Sequence, residues 1–561
     1  MKASVSAFVI LISSMVASAA CSSDPKTLPP PPAVGVPIGG DGKPACFGET
    51  NGVLAGVTHA QAQAGWITEV SSAVASAGPY AVRLFDSCFG TDVGEPSQCS
   101  DTIDYVDGAK IARRLPYRVA APVGFSASAG RRPVVLFQHG GGPNPKGQRG
   151  YTNLVKLLAS HGYIVVQTAV MPSCAAGACS AESAERLAYC QVYAQSGGSD
   201  CKEMNLMYYN RPNDFKAVAT ALPRVFRTVD FLAGAEMSLG LSSLADPTRI
   251  AVMGHSAGTN GVLSLGGAGF DYVSTPSGTN VDQRDRYFSA FLAIGPNSSS
   301  SDNGRGWDAE GFSKISDESP FLFISGSRDY AVDVAACDRP LAFMSARPGN
   351  KYMQYTVKAT HASEALNDED DATVDKLAAK WTPDRCAPQT SPARGSDTFG
   401  PAKADGTAAT TPLEKDIYSS TASVLLPFLA AELSGDSAAL ATLQAASDAP
   451  ASFNFGATQF LKRGYAPDIK VLAPRTMVLS AECSAGLPVS LLRRGDSGVV
   501  ELSVEGLPAG ASSAPVRLDE KTSEAKLQIA RGSADPGTYR VQVIGSSPAK
   551  ITGTEITLVL N

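Results

Sequence analysis

Over most of the chain, short apolar runs alternate with amphipathic stretches. Six of the apolar runs have the length of a strand, and several of the stretches between them repeat apolar residues every three or four positions, as helices do. The six runs are residues 133–138, 163–168, 249–253, 288–294, 321–325 and 353–357. This alternation, from about residue 46 to residue 433, predicts an α/β fold with a mostly parallel central sheet and helices on both faces.

The amphipathic stretches indicate where the helices lie. Residues 154–161 and 417–433 are two of them. The longest stretch carries apolar residues at helical spacing, namely Phe215, Val218, Leu222, Val225, Phe226, Val229 and Leu232. Pro223 falls inside this set and predicts a kink or a restart, because proline cannot donate a helical hydrogen bond.

Two segments interrupt this pattern. Residues 174–212 are rich in cysteine, serine and tyrosine, and we interpret them as an insertion over the strand ends that forms part of a substrate lid. Residues 367–412 are acidic at first and then rich in proline, threonine, glycine and alanine, which favours a long surface excursion held by Cys386. The acidic run 368–371 lacks the glycine of a calcium-binding loop, so we expect it to be solvated.

The end of the chain, residues 471–561, has a different period. Its apolar runs are short and are separated by turn sequences rich in glycine and proline, with the runs at 499–504, 525–529, 539–544 and 556–560. This pattern predicts a small all-β sandwich of the immunoglobulin type. No catalytic constellation is visible in it, so we expect an accessory domain that contacts a surface or polymer and whose removal leaves the preceding domain active.

The first residues predict export. Residues 1–20 combine a basic start at Lys2, an apolar centre and a small-residue end, which is the composition of a secretory signal peptide. Cys21 follows directly, as the lipid-modified cysteine of a bacterial lipoprotein does, although Ser18 stands where that pattern usually has leucine. Residues 21–45 are rich in proline and glycine and are predicted to be a tether. We therefore expect a protein of the bacterial cell envelope, anchored or periplasmic, or a secreted one.

Charge and cysteine content limit the classes of partner. The chain of 561 residues has a net charge of -6 and no basic run, so binding to nucleic acid is not expected. It contains 11 cysteines, and setting Cys21 aside leaves an even number. No C-x-x-C or H-E-x-x-H sequence occurs, so disulfides are predicted rather than a metal site. Cysteines that are near each other in sequence are Cys88 with Cys99, Cys174 with Cys179, Cys190 with Cys201 and, less locally, Cys337 with Cys386.

The strongest chemical signal is a G-H-S-A-G sequence that directly follows the apolar run 249–253 and precedes a helix-compatible segment. This is the context of a nucleophilic serine in a tight strand-to-helix turn. The outer glycines are needed because a side chain there would collide with neighbouring backbone. We predict Ser256 as the nucleophile and the amide of Ala257 as one oxyanion donor. The motif comprises Gly254, His255, Ser256, Ala257 and Gly258.

A serine hydroxyl needs a base to take its proton, and the chain has 5 histidines. His361 is the candidate because it follows the apolar run 353–357 in a strand-end loop, late in the domain. The other histidines have other positions or roles: His59 precedes the first of the six apolar runs, His139 opens a glycine run, His161 ends a helix and His255 lies beside the serine.

The base in turn needs a carboxylate that fixes its tautomer. Asp329 is the candidate because it comes first after the apolar run 321–325 and its glycine turn, with Asp333 and Asp338 as alternatives. The candidate residues then follow one another along the chain as serine, aspartate and histidine.

A glycine run after residues 133–138 is the candidate oxyanion loop. Amides in such a run can approach a ligand closely because glycine has no side chain. We predict a donor at the amide of Gly141, or of a neighbouring glycine, beside that of Ala257. The run comprises His139, Gly140, Gly141 and Gly142.

Several motifs taken together resemble one group of enzymes. They are H-G-G-G at 139–142, S-H-G-Y-I-V-V at 160–166, R-P-N-D at 211–214, G-H-S-A-G at 254–258, G-S-R-D at 326–329 and T-H at 360–361. Across about residues 78–433 the chain is similar to bacterial relatives of platelet-activating-factor acetylhydrolase, near the dienelactone-hydrolase and cutinase-like branches of the α/β-hydrolase superfamily.

This resemblance implies an α/β-hydrolase fold, which we place at residues 46–465, and hydrolysis of small-molecule or lipid esters through an acyl-enzyme. It implies no metal and no organic cofactor. Two departures matter: dienelactone hydrolases carry cysteine where this chain has Ser256, and the cysteine-rich residues 174–201 leave the acyl group undetermined. A peptidase, amidase or polyester hydrolase would use the same residues, and a surface-binding protein on an inactive hydrolase fold is the alternative outside enzymes.

Overall fold

The computed structural model is of mixed α/β type. It describes residues 66–70, 77–88, 99, 101–106, 112–125, 130–141, 150–170, 203–237, 240–269, 283–296, 309–330, 336–366 and 411–561, the last range with gaps at 452, 466, 481–483, 497 and 549. Within these residues, one large and mostly parallel sheet is followed by separate C-terminal sheets. The predicted α/β class is confirmed at this level.

The first part of the chain forms the large sheet. Its strands, numbered along the chain, are β1 Trp66–Val70, β2 Val82–Asp86, β3 Ile103–Val106, β4 Ala112–Leu115, β5 Tyr117–Pro122, β6 Arg132–Gln138, β7 Ile164–Thr168, β8 Ala245–His255, β9 Ala290–Ile294, β10 Phe321–Arg328, β11 Lys351–Thr360, β12 Ser447–Asp448 and β13 Gln459–Arg463. In the described chain the sheet order is β1-β2-β5-β7-β6-β8-β9-β10-β11-β13-β12, while β3 and β4 pair with each other. The neighbours from β7 to β11 in this order are parallel. The strands on either side of them pair antiparallel, except that β12 pairs parallel with β13 at the edge.

Both faces of the parallel part are buried, because successive residues of a strand point to opposite sides. On β6, Val134 and Leu136 belong to one apolar cluster, whereas Val135 and Phe137 belong to the other. All four side chains are at most 1% exposed. The continuous apolar run seen in the sequence is therefore a strand covered on both faces.

Helices cover these faces. Numbered along the chain, they are α1 Thr152–Ser160, α2 Glu203–Met237, α3 Leu241–Leu244, α4 Thr259–Leu265, α5 Ala309–Ser313, α6 Leu341–Ser345, α7 Pro412–Ser434 and α8 Ser437–Gln444. Helices α2 and α4 pack on one face, and α1 and α7 on the other. Helix α7 begins with a capping box between Thr411 and Glu414 and ends at Gly435, which has a left-handed φ of 67°. It is long and apolar enough to span a membrane, but its buried residues belong to the core.

Two expectations about the helices change. Pro223 does not restart a helix, because α2 runs as one element through both Pro212 and Pro223. Apolar side chains on both sides of Pro223 are buried against the sheet, and this packing offsets the lost hydrogen bond. Residues 203–212, predicted as part of an insertion, are the first turns of α2. The rest of that segment and residues 367–410, with the acidic run 368–371, lie outside the described residues.

The C-terminal region forms two further sheets. Its strands are β14 Asp468–Leu472, β15 Thr476–Leu479, β16 Ser484–Arg494, β17 Val500–Glu505, β18 Ser512–Ser513, β19 Val516–Leu518, β20 Glu524–Ala530, β21 Gly537–Ser546 and β22 Ile551–Leu560. The sheet orders are β14-β16-β20-β18 and β15-β22-β21-β17-β19, with antiparallel pairs except for β15 with β22. Residues of both sheets share one apolar core. The region begins with β14 at Asp468 rather than at residue 471, where the sequence placed it.

A buried cluster of charged residues joins the C-terminal sheets to the large sheet. Arg494 at the end of β16 pairs with Asp468 of β14 and with Glu432 of α7, and each of the three side chains is at most 4% exposed. A second contact joins Arg475 to Asp285 at 2.7 Å. The C-terminal region is therefore packed against the large-sheet region through paired charges.

The predicted disulfide chemistry is confirmed where the chain is described. Cys88 and Cys99 form a disulfide, and Cys337 is also disulfide-bonded. The predicted signal peptide, tether and Cys21, like Cys386, lie outside the described residues.

Candidate active site

Ser256 lies at the junction between β8 and α4. Strand β8 ends at His255, a 3-10 turn covers Ser256–Gly258, and α4 follows directly. Ser256 has a φ of 53°, a left-handed value that is uncommon for residues with a side chain. The hydroxyl of Thr259 donates to the carbonyl oxygen of Ser256 at 2.6 Å and closes the turn. Strained backbone of this kind concentrates at functional sites.

Glycines make this turn possible. A Cβ on Gly254 would lie 2.3 Å from the carbonyl oxygen of Gly258, and one on Gly258 would lie 2.4 Å from that of Gln138. A Cβ on Gly140 would come within 2.8 Å of the Cβ of Ser256. The motif glycines are therefore required by sterics, and the glycine loop packs directly against the serine.

The aspartate and histidine candidates come together at the same edge of the sheet. Asp329 follows β10 and His361 follows β11, and these strands are parallel neighbours. Since the carboxyl ends of parallel strands share one edge, the two residues meet, with Nδ1 of His361 2.7 Å from Oδ1 of Asp329. Asp329 is fully buried and His361 is 9% exposed.

A buried arginine shares this carboxylate. Nη2 of Arg339 lies 2.9 Å from Oδ1 of Asp329. Its Nη1 donates to the carbonyl oxygens of Gly295 at 3.1 Å and Pro296 at 2.9 Å. Burial would raise the pKa of Asp329, but the charges of Arg339 and His361 outweigh burial and lower this pKa to about 2. The carboxylate is therefore ionised at neutral pH.

His255 connects the serine turn to the segment of His361. Nε2 of His255 lies 2.8 Å from the carbonyl oxygen of His361, and the two ring centroids are 4.5 Å apart. Nε2 of His361 is buried and has no hydrogen-bond partner within the described part of the chain. Ser256 and His361 thus lie on joined segments, but the hydrogen bond between their side chains is not formed. In the absence of substrate such bonds are often long.

Arg211, in the R-P-N-D motif of α2, holds the backbone of the glycine loop through two carbonyl oxygens. Its Nη1 donates to the carbonyl oxygen of His139 at 2.9 Å, and its Nη2 donates to that of Gly141 at 2.8 Å. In a trans peptide the N–H points opposite to the preceding carbonyl, so the amide of Gly140, which follows the carbonyl of His139, faces away from the guanidinium. Gly141 has a φ of 75°, and a Cβ there would meet no atom within 4 Å. The outer side of the loop is therefore open.

Only some amides of this loop are available to a ligand. The amide of Gly140 donates to the hydroxyl of Tyr151 at 3.0 Å, so Gly140 is already engaged. Gly141 is the next residue and has the open side, whereas Gly142 lies outside the described residues. Ala257 follows the serine in the same turn and is 2% exposed. Gly141 and Ala257 remain the candidate oxyanion donors.

Two other histidines of the site are held neutral. Burial, assisted by the charge of Arg211, lowers the pKa of His139 to about 4. Its Nε2 accepts from the amide of Val170 at 3.0 Å, so Nδ1 carries the proton and donates to the carbonyl of Gly140 at 2.7 Å. Burial and then the neighbouring His361 lower the pKa of His255 well below 6.5. Both rings therefore serve as neutral hydrogen-bonding groups.

Three residues of the site were missed as functional candidates from the sequence: Tyr151, Arg211 and Arg339. Their partners lie on other segments that folding brings together, so no local spacing indicates them, although R-P-N-D was noted as a motif. Of the carboxylates considered for the base that the structure describes, Asp329 and Asp338, it is Asp329 that contacts His361. Asp333 lies outside the described residues.

Comparisons with known proteins assign no family. No protein-family model matches the chain, and no curated protein sequence matches it. The functional conclusion therefore depends on the motifs and on the geometry of the site.

Proposed function

We propose that this protein is an exported serine hydrolase with an α/β-hydrolase fold that cleaves carboxylic esters. The observation that carries the proposal is the meeting of His361 with the ionised Asp329 at 2.7 Å, on a segment bonded to the residue before Ser256. The order of these residues, after β8, β10 and β11, is the order that this fold uses.

The chemistry would begin at Ser256. Its Oγ attacks the ester carbonyl carbon while Nε2 of His361 takes the hydroxyl proton. Asp329 holds Nδ1 of His361 and stabilises the imidazolium that forms. The amides of Gly141 and Ala257 donate to the oxyanion of the tetrahedral intermediate.

The same groups would complete the cycle. The imidazolium of His361 gives its proton to the leaving alcohol, and the carbonyl re-forms as an acyl-enzyme on Ser256. Water then attacks that carbonyl as its proton passes to Nε2, and Ser256 leaves with a proton from His361 and releases the acid. The buried and still unpartnered Nε2 of His361 supports this role for the base.

The remaining parts of the proposal concern location and the C-terminal region. We infer export from the signal-like residues 1–20 and envelope anchoring from Cys21. The two C-terminal sheets around one core support an immunoglobulin-like accessory domain.

The deciding test is active-site labelling with a fluorophosphonate probe, combined with turnover of p-nitrophenyl esters of increasing chain length. Ser256→Ala should abolish labelling and lower kcat by about 10⁴- to 10⁶-fold, because the nucleophile is lost. Ser423→Ala, on the exposed side of α7, is the matched control and should label like the unchanged protein. Labelling that survives in Ser256→Ala would refute the proposal.

A second assay separates the substrate classes. A short acyl ester, a peptide amide and a polyester film would be compared at equal enzyme concentration. We expect the soluble ester to be turned over fastest. Faster turnover of the amide or the film would change the proposed substrate class but not the proposed catalytic residues.

A further inference from the structure

A chain of hydrogen bonds runs from the glycine loop to the segment of the base. The amide of Gly140 donates to the hydroxyl of Tyr151 at 3.0 Å. Oη of Tyr151 lies 2.8 Å from Nδ1 of His255. Nε2 of His255 lies 2.8 Å from the carbonyl oxygen of His361. Two side chains thus connect the candidate oxyanion loop, the serine turn and the base.

The two ends of this chain fix the direction of every hydrogen bond in it. An amide can only donate and a carbonyl can only accept, so His255 must place its proton on Nε2 and accept at Nδ1. Tyr151 then accepts from Gly140 and donates its own proton to His255. The arrangement needs a neutral His255 ring, and burial favours this form.

The backbone of Tyr151 is held in an unfavourable conformation at the same place. Its φ is 64°, immediately before α1, and its side chain makes no capping bond to that helix. The ring packs edge-on against Phe137 with centroids 5.0 Å apart, which directs the hydroxyl to Gly140 and His255. Non-glycine residues adopt this region rarely, and usually where the surrounding structure requires it.

We propose that Tyr151 is a positioning residue that acts through His255 to keep the oxyanion loop and the base in register with Ser256. This inference rests on the proposed hydrolase function. Tyr151 fixes the amide of Gly140, one peptide before the peptide that carries the amide of Gly141, while His255 fixes the main chain of His361. Loss of the link would let the donors and the base shift independently, and the rate of acyl transfer depends on both.

The test removes one oxygen atom. Tyr151→Phe keeps the ring and its contact with Phe137, so we expect the melting temperature to stay within about 5 °C. The expected result is a fall in kcat and in the fluorophosphonate labelling rate of about tenfold to a hundredfold, with KM changed by less than about twofold. Tyr539→Phe, which removes a hydroxyl hydrogen bond in the C-terminal region, is the matched control and should leave kcat unchanged.

A second variant tests the route of the effect. His255→Gln can still donate and accept, and it should lose less activity than His255→Leu. If Tyr151 acts through His255, Tyr151→Phe combined with His255→Leu should be little slower than His255→Leu alone. An unchanged kcat in Tyr151→Phe, or fully additive losses in the double variant, would overturn the inference. Failure of the unchanged protein to label would instead refute the hydrolase proposal itself.

Discussion

Two buried charge clusters in this protein use the same chemical groups differently. At the edge of the large sheet, Arg339 pairs with Asp329, which also holds His361. Between α7 and the C-terminal sheets, Arg494 pairs with Asp468 and Glu432. We call the first the site cluster and the second the junction cluster. Each is built around a fully buried guanidinium that pairs with buried carboxylates: Asp329 at the site, and Asp468 and Glu432 at the junction.

The difference lies in whether a base is left without a partner, since the junction cluster also leaves one atom unpaired in the described chain, Oε1 of Glu432. Arg494 donates through Nε to Asp468 at 2.6 Å, through Nη2 to the same carboxylate at 2.9 Å, and through Nη1 to Glu432. In the site cluster, the contacts run from Arg339 to Asp329 and then to His361. Nε2 of His361 is buried without a partner in the described chain. Buried charges that satisfy one another serve to hold segments together. A base with an open position, on a segment bonded to the strained serine turn, is suited to chemistry.

The largest effect is expected from opening the site cluster. Asp329→Asn keeps the shape but no longer fixes the tautomer of His361, and kcat should fall by about 10⁴-fold, or about 5 kcal/mol in barrier height. The measurement is kcat on a soluble ester together with the melting temperature. Asp338→Asn is the matched control and should keep kcat close to that of the unchanged protein. Full activity in Asp329→Asn with loss in Asp338→Asn would move the carboxylate role to the alternative residue.

Breaking the junction cluster should affect stability and leave the chemistry unchanged. Arg494→Met strands the buried carboxylates of Glu432 and Asp468, and the free energy of unfolding should fall by about 3–5 kcal/mol. The kcat of the folded fraction should stay within about twofold. Urea unfolding and kcat measured on the same preparation check both points, and a variant that loses kcat without losing stability would contradict the comparison.

Part of the stability lost in Arg494→Met should be recoverable. Burial outweighs the pull of Arg494 and raises the pKa of Glu432, so the neutral form of this carboxyl is favoured by its surroundings. Combining Arg494→Met with Glu432→Gln and Asp468→Asn should regain more than half of the lost free energy of unfolding.

A smaller loss of stability is expected at low pH, and it should arise from the buried histidines near the site cluster. His139 has a pKa of about 4 when folded and 6.5 when exposed, so the unfolded chain takes up a proton first. The contribution of the neutral His139 to the free energy of unfolding is complete above pH 6.5, falls as the pH drops, and is lost below about pH 4. The loss amounts to about 3 kcal/mol for this residue. His255 shifts in the same direction.

Urea unfolding between pH 7 and pH 4 measures this effect. His139→Gln removes the titrating group, so the dependence on pH should become shallower by about one proton. An equally steep dependence in that variant would show that other groups cause the acid sensitivity.

The sequence predicted the central strands and the serine turn well, because their signals are local. An apolar run such as 133–138 reports a strand covered on both faces, and glycines around Ser256 report a turn that tolerates no other residue. The order of Ser256, Asp329 and His361 along the chain could be predicted for the same reason, since each follows its own apolar run.

Other parts could not be predicted, because their sequence signals are weak or lie far apart. The outer strands β1, β2, β5, β12 and β13 pair antiparallel or are very short, and their mixed composition resembles that of loops. The function of Tyr151, Arg211 and Arg339 depends on partners brought together by folding. Of the two outcomes predicted for Pro223, a kink or a restart, the restart is wrong, because the packing around the proline was not visible in the sequence.

Helix α7 carries a consequence for how the chain can be divided. One side of it is packed on the sheet of the proposed enzyme, and Glu432 near its end belongs to the junction cluster. A truncation after residue 470 would therefore remove Arg494 and leave the carboxylates of Glu432 and Asp468 without their guanidinium partner. The C-terminal sheets therefore contribute to the stability of the region that precedes them. A shortened version of the proposed enzyme would have to keep these sheets, or the surface of α7 would have to be redesigned.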